Sequence, residues 1–195
     1  MKFNNWKLDK IENIRFEEFF DLIDKNRNRI EKTFPVTVSN CVDLKITKEF
    51  IAKNIQIEKA KTGYYFYVRN LETNNLIGYL GIKKIDNNIS KCELFYFIDK
   101  DFEGKGIISK AVSEVIDFCF KELNRNKIFI CTSKINFGSQ QIALKNGFVP
   151  EGTLREEFKN HEGVLEDINY YGLLKSDYER HILQIHTKPP KPNHF

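Results

Sequence analysis

The chain reads FYFIDKDFEGKGIISKA from Phe95 to Ala111, and this stretch determines much of the fold. Its first part is apolar and rich in aromatic residues, which predicts a buried β-strand. Gly104 and Gly106 predict a tight turn, after which apolar residues recur at helical spacing to about Glu122. Because the first amides of a helix lack backbone partners and glycine has no Cβ, this turn predicts a binding site for a phosphate.

The length and composition predict one soluble domain. The 195 residues include 41% hydrophobic and 30% charged residues, with a net charge of +4. No apolar run approaches the roughly 20 residues of a membrane span, and the first residues lack an apolar signal-peptide core. We therefore expect a cytoplasmic protein without a membrane partner. The mild basic surplus favours a phosphate-bearing ligand without indicating direct contact with nucleic acid.

The four cysteines are scattered and form no CxxC pair. Most of them fall inside predicted strands or helices, which favours buried thiols over a disulfide set or a metal site. We expect a single domain over residues 1–185 and a disordered, proline-containing tail over residues 186–195.

The fold class predicted from the chain is α+β, with a mixed, mostly antiparallel sheet and helices on both faces. Short turns join the strands at residues 64–69, 76–85 and 91–98, so these three must be antiparallel. A helical crossover from 91–98 to 127–131 makes that central pair parallel. Further strands are expected at residues 6–8, 149–158 and 164–174. Helices are expected at residues 15–26, 29–33 (ended by Pro35), 47–63 (opened by Thr47), 107–122, 139–145 and 176–185.

Residues 92–174 resemble the GCN5-related N-acetyltransferases, and within them the ribosomal-protein-serine/alanine N-terminal acetyltransferases. The family usually has Gln or Arg where Glu103 stands and Gly or Ala where Ile108 stands, so we expect the Glu103 side chain to face solvent. The resemblance rests on ELFYFID from Glu93, FEGKGIISKA from Phe102, Asn136, Ser139, ALKNGF from Ala143, Glu151-Gly152 and Asp167–Tyr171.

The resemblance implies that acetyl-coenzyme A lies in a gap between strand 91–99 and strand 127–131, and it implies no metal. The glycine turn would hold the pyrophosphate, and the end of strand 91–99 would bind the pantetheine arm and polarise the acetyl carbonyl. Lys105, Lys134 or Lys145 would reach the ribose phosphate or remain surface charges. The implied contacts are Phe97, Ile98, Glu103, Gly104, Lys105, Gly106, Ile107, Ile108, Ser109 and Asn136.

Catalytic residues follow from the same resemblance. Much of the family places an acidic tyrosine where Ala143 stands here, so Ser139 becomes the best proton donor; its structural alternative is a helix N-cap. Glu157 and Glu93 are the candidate bases. The spacing from Gly152 to this position is one residue shorter than in the family, so Glu156 remains an alternative base. A salt bridge would explain an acid at Glu93, inside an apolar strand, equally well. For Asp167 we expect a structural hydrogen bond.

The expected reaction is direct attack of an amine on the acetyl thioester. An α-amine titrates near ~8 and a lysine near ~10.4, which favours a protein or peptide N-terminus as the acceptor. Acetylation of a polyamine or an aminoglycoside is the alternative, kept open by the acidic pairs Glu156-Glu157 and Glu166-Asp167. A non-catalytic acyl-coenzyme A-binding module is the second alternative. Residues 27–40 and 159–163 are expected to select the acceptor, and both a monomer and a homodimer remain open.

Overall fold

The computed structural model describes residues 2–3 and 5–180. An eight-stranded sheet with the order β1-β2-β3-β4-β5-β6-β8-β7 forms its centre. The predicted tail, residues 186–195, and the end of the last predicted helix lie outside the described residues. The strands are β1 (Lys2–Phe3), β2 (Trp6–Lys10), β3 (Tyr64–Asn70), β4 (Leu76–Asp86), β5 (Lys91–Ile98), β6 (Lys127–Ser133), β7 (Val149–Lys159) and β8 (Leu165–Leu174).

The mixed topology confirms the predicted fold class. Within this sheet only β5 and β6 pair in parallel, because the intervening helix carries the chain back to the end of the sheet at which β5 begins. The other neighbouring strands pair antiparallel. The helices are α1 (Phe16–Ile30), α2 (Pro35–Ser39), α3 (Leu44–Lys59), α4 (Ile107–Asp117), which continues as a π-helical turn over Phe118–Glu122, and α5 (Phe137–Lys145). Residues 175–180 are also helical.

Hydrophobic clusters cover both faces of the sheet. One cluster contains the apolar stripe of α4, with Ala111 and Val112 completely buried. The other contains α1 and α3, with Phe19 and Ile23 completely buried. β5 contributes to both clusters, with Leu94 in the first and the next residue packed against the second. This follows because successive side chains of a strand point to opposite faces of the sheet.

Several of the predicted helix boundaries differ from the observed ones. The expected helix 29–33 does not exist separately, because α1 continues to Ile30, and Pro35 begins α2 instead of ending a helix. Proline is tolerated in the first helical turn, where its missing N–H would have no partner. The helix expected to open at Thr47 begins at Leu44, capped by Asp43, whose Oδ1 accepts the Ile46 N–H at 2.8 Å.

Candidate active site

The parallel strands β5 and β6 separate along their length. Their paired residues end at Glu93 and Phe129, although β5 runs to Ile98 and β6 to Ser133. The strands therefore form the predicted gap, and the edge of β5 beyond Glu93 is not paired with β6. An extended ligand could add to that edge as another strand would.

The glycine turn joins the end of β5 to α4. Gly104 has a φ of 71° and Gly106 a φ of 73°, and a Cβ built on either would meet no atom within 4 Å. Gly106 caps α4 in the left-handed conformation. In the described part of the chain, the amides of residues 104–109 have no hydrogen-bond acceptor. Open space, unpaired amides and the positive end of a helix fit the pyrophosphate of acetyl-coenzyme A.

The exposed carboxylate of Glu103 pairs with a residue that sequence analysis did not select. Arg29 of α1 donates from Nη1 to Glu103 Oε1 at 2.7 Å, and the Glu103 side chain is 53% exposed. The Arg29 guanidinium also donates to the Ile98 carbonyl and to Asn26 Oδ1. A cation thus offsets the carboxylate next to the proposed phosphate site. No local signal links Arg29 to Glu103, because 74 residues separate them.

The predicted phosphate-binding lysines differ in their surroundings. Lys105 donates to the Asp101 carbonyl at 2.9 Å and lies over the Phe102 ring. Lys134 pairs with Asp167 at 2.8 Å. Lys145 is exposed near the end of α5. Lys134 therefore has a carboxylate partner already, whereas Lys105 lies on the glycine turn itself.

The side chains of Ser109 and Asn136 both form hydrogen bonds at helix ends. Ser109 Oγ accepts a hydrogen bond from Asn146 Nδ2 at 3.1 Å, which ties the first turn of α4 to the end of α5. Asn136 Oδ1 accepts the Ser139 amide at 3.1 Å, so Asn136 is the N-cap of α5. The helix-cap alternative for Ser139 therefore belongs to Asn136.

A cavity of about 480 Å³ extends from the strand gap between the sheet, α3 and the β7–β8 hairpin. Its lining comes from segments that are distant in sequence, which is typical of a ligand site. Four of the predicted site residues, Asn136, Ser139, Glu93 and Glu157, contribute to this lining.

Ser139 lies beside Tyr96 in this cavity. The Tyr96 hydroxyl is 3.0 Å from Ser139 Oγ and 3.0 Å from the Ser139 carbonyl oxygen. Burial raises the pKa of the Tyr96 phenol to about 12, although its hydrogen bond with Ser139 acts in the opposite direction. The phenol therefore keeps its proton at neutral pH. Sequence analysis missed Tyr96 because only the fold brings it to Ser139.

Glu93 is buried between two lysines. Its side chain lies 3.1 Å from Lys83 Nζ and 2.9 Å from Lys84 Nζ, and Glu93 is only 4% exposed. Lys84 has a φ of 48° at the irregularity where the β4–β5 register shifts. Burial acts to lower the pKa of the Lys84 ammonium, but hydrogen bonding and attraction to Glu93 raise it overall. Glu93 therefore forms the salt bridge that was considered as its alternative role.

The β7–β8 register distinguishes Glu156 from Glu157. Between the pairs Leu154–Ile168 and Phe158–Glu166 the register shifts, so β7 bulges opposite Asp167. Glu156 has a φ of 52° and its amide donates to Asp167 Oδ1 at 3.0 Å. Glu157, not Glu156, is part of the cavity lining.

Asp167 makes hydrogen bonds on both carboxylate oxygens. Besides the bulge amide, it accepts from Lys134 Nζ at 2.8 Å. The hydrogen bond from Lys134, followed by that from the Glu156 amide, lowers the pKa of the Asp167 carboxyl. These contacts are the structural hydrogen bonds expected for this residue.

The described residues hold neither a candidate metal site nor a helix that could span a membrane. Across residues 2–3 and 5–180, no His, Cys, Asp and Glu side chains gather in a group of three or more that could hold a metal ion. None of the helices in these ranges combines the length and apolar character needed to cross a membrane.

A family model described as an acetyltransferase (GNAT) domain matches residues 7–149. The chain belongs to the GNAT acetyltransferase family. The match includes the glycine turn, the strand gap and the Asn136–Ser139 segment. Family membership therefore agrees with the geometry of the cavity and of the glycine turn.

Named relatives of this GNAT chain act on different acceptors. YdaF of Bacillus subtilis (strain 168), whose name provisionally assigns it to ribosomal N-acetyltransferases, is 36% identical over 56% of this chain. The match spans 59% of YdaF's own length. A ribosomal-protein-serine acetyltransferase of Escherichia coli (strain K12) is 28% identical over 78% of this chain and 83% of its own. A spermidine N(1)-acetyltransferase of Vibrio cholerae is 30% identical over 53% of this chain and 60% of its own.

A crystal structure with the same fold is that of ribosomal-protein-S5-alanine acetyltransferase from Vibrio fischeri. It superposes with a TM-score of 0.80 at 20% identity, covering 91% of this chain and 97% of that one. This likeness establishes the GNAT fold over nearly the whole chain.

Proposed function

We propose that this GNAT protein transfers an acetyl group from acetyl-coenzyme A to the N-terminal α-amine of a protein or peptide. One observation carries the proposal: Ser139, supported by Tyr96, and the carboxylate of Glu157 line the same cavity next to the strand gap. A proton donor and a proton acceptor are the two groups that direct acyl transfer to an amine requires. The ribosomal names of relatives support the choice of acceptor.

The cofactor side is built mainly from the backbone. In this proposal, the amides of residues 104–109 bind the pyrophosphate, Asn136 and the edge of β5 orient the pantetheine arm, and bound acetyl-coenzyme A supplies the reactive thioester. A β5 amide near Phe97 or Ile98 polarises the acetyl carbonyl. Backbone donors fixed by a sheet and a helix need little reorganisation on binding.

Ser139 is the proposed acid. As the nitrogen–carbon bond forms and the carbon–sulfur bond breaks, Ser139 Oγ gives its proton to the departing sulfur. Tyr96 lies within hydrogen-bond distance of that oxygen and holds its proton at neutral pH, so it can pass this proton to Ser139 and then regain one from water. This pair replaces the family tyrosine whose position is occupied by Ala143.

Glu157 is favoured over Glu93 as the base. Glu93 is enclosed by Lys83 and Lys84, whereas Glu157 is exposed to the cavity and forms no salt bridge within the described ranges. A carboxylate without a salt bridge accepts a proton from the nitrogen of the acceptor amine more readily than a carboxylate that is paired with two lysines. Glu93 then serves to fix the β4–β5 irregularity.

The α-amine is also the easier nucleophile. At neutral pH roughly 10% of α-amines are neutral, compared with well under 1% of lysine side chains, because their pKa values differ by about 2.4 units. A serine acid and one glutamate without a salt bridge therefore suit the α-amine better than the lysine side chain. The proposal includes a cytoplasmic location, because ribosomal proteins stand in the names of two relatives.

The test is a thiol-release assay with acetyl-coenzyme A and matched acceptors, followed by mass spectrometry of the product. The acceptors are N-terminally free peptides, the same peptides with a blocked N-terminus, spermidine and an aminoglycoside. Thiol release only with free N-termini supports the proposal. Release only with spermidine or the aminoglycoside would support the small-amine alternative, and tight binding of the cofactor without any release would support the binding module.

A further inference from the structure

We infer that the preferred acceptor carries an acidic residue just after its N-terminal amine, and that Lys32, Lys53 and Asn54 bind its carboxylate. The inference rests on the proposed function and specifies its substrate class. It follows from the distribution of charge and of unpaired polar groups around the cavity.

The charged groups of the cavity lie on different walls. Lys32 follows α1 and Lys53 lies on α3, whereas Glu157 and Glu166 come from the β7–β8 hairpin. Glu93 is already neutralised by its two lysines on the sheet. The cavity therefore has a basic side made by the helices and an acidic side made by the hairpin.

The lysines of the helical side have no internal partner. Both Lys32 and Lys53 are exposed, and neither forms a salt bridge with a carboxylate of residues 2–3 and 5–180. Lys83 and Lys84, by contrast, are committed to Glu93. Lys32 and Lys53 are thus available for an anionic group on a ligand.

Asn54 adds a buried polar group on the same wall. It is 2% exposed, it lines the cavity, and its side-chain nitrogen has no hydrogen-bond partner among the residues described. Unpaired buried donors are uncommon in folded proteins, because their desolvation is not offset. An acceptor oxygen on a ligand in the cavity would satisfy this amide.

Hydrogen-bonding capacity separates the two acceptor classes. A polyamine carries ammonium and amine groups only, so beyond its reacting amine it would bring positive charge toward Lys32 and Lys53. A peptide N-terminus brings carbonyl oxygens, and an acidic side chain brings a carboxylate that accepts from both lysines and Asn54. The amine end then faces Glu157 and the acidic side chain faces the helices, which matches the two walls.

The first experiment compares three peptides that differ only at positions two and three. These positions hold Asp-Glu, Asn-Gln or Lys-Lys after a common N-terminal serine. The wild-type protein should give the highest kcat/KM with the acidic peptide, and the advantage should decrease with added salt because the contacts are partly exposed. Equal kcat/KM for the acidic and neutral peptides would overturn the inference while leaving N-terminal acetylation intact.

The second experiment removes the proposed contacts one at a time. Lys32→Gln and Lys53→Gln should each lower kcat/KM for the acidic peptide about threefold to fivefold, the effect of one partly exposed charge pair. The neutral peptide should be nearly unaffected by either change. Lys45→Gln is the matched control, because Lys45 lies on α3 outside the cavity lining.

The outcomes separate this inference from the proposed function. Losses confined to the acidic peptide and to the two cavity variants support the carboxylate site. Equal losses for acidic and neutral peptides would assign the lysines a general role and overturn it. Activity with spermidine and with none of the peptides would overturn both the acceptor class and the proposed function.

Discussion

The glycine turn and the acceptor cavity are built in opposite ways. The turn, residues 103–109, is one continuous segment whose binding groups are main-chain amides beside open space. The cavity gathers side chains from the loop after α1, from α2, α3, β3, β4, β5, β6 and the start of α5, and from the β7–β8 hairpin. The glycine turn, the proposed cofactor site, is thus determined locally. The cavity, the proposed acceptor site, depends on how distant elements pack.

This difference explains how one fold can serve several acceptors. A backbone site tolerates changes in side chains, provided that the residues needing a positive φ remain glycine. A side-chain site changes its specificity when a few wall residues change. The relatives named for ribosomal proteins and for spermidine are consistent with that division.

The largest expected effect comes from Gly106→Val. A Val at a φ of 73° is strained by about 1–2 kcal/mol, and its methyl groups would occupy the open space proposed for the pyrophosphate. Because the methyl groups would exclude the ligand, calorimetry should show cofactor affinity reduced at least about 100-fold, which corresponds to about 2.8 kcal/mol.

Gly163→Val is the matched control for backbone strain. Gly163 has a φ of 82° but lies in the β7–β8 turn. The Gly163→Val variant should lose about as much stability as Gly106→Val and should retain its affinity for the cofactor. Unchanged affinity in Gly106→Val would contradict the idea that the donor site is made by this turn.

Ser139→Ala should give the next largest effect. Loss of the proton donor is expected to lower kcat about 100-fold while cofactor affinity changes little. Tyr96→Phe should lower kcat less, because Ser139 remains and water can return its proton. Steady-state kinetics together with calorimetry measure both quantities, and parallel losses in kcat and affinity would make Ser139 a positioning residue only.

The two candidate bases are separated by a pair of substitutions. Glu157→Gln should lower kcat/KM about tenfold or more without affecting stability, because Glu157 is exposed. Glu93→Gln should reduce the free energy of unfolding by about 1 kcal/mol, since Lys83 and Lys84 can regain water once their partner is neutral. Denaturant unfolding and kinetics on both variants test the assignment, which is wrong if Glu93→Gln abolishes turnover in a stable protein.

The smallest effect is expected at the contact between α1 and the glycine turn. Arg29→Gln should weaken cofactor binding about threefold, because Glu103 would then lie uncompensated near the pyrophosphate. In a Glu103→Gln background the same change should cost less. A double-mutant cycle of cofactor affinities measures this coupling, and additive effects would mean that the pair does not influence the cofactor site.

Much of the fold was predictable from local patterns. The strands from β3 to β6 and the helix after Gly106 were placed within a few residues, because apolar periodicity and glycine positions are local signals. The helix expected at 29–33 was not, since Pro35 begins a helix as readily as it follows one. The N-cap of α5 was missed because both Asn136 and Ser139 are suitable capping residues.

The sequence by itself determined the glycine turn and the order of strands around it, since both depend on residues adjacent in the chain. Only the tertiary structure decided that Tyr96 meets Ser139, that Arg29 meets Glu103, that Glu157 rather than Glu156 lines the cavity, and that Lys32 and Lys53 share a wall with Asn54. Backbone conformation is set by neighbouring residues, whereas contacts between side chains depend on the packing of elements tens of residues apart.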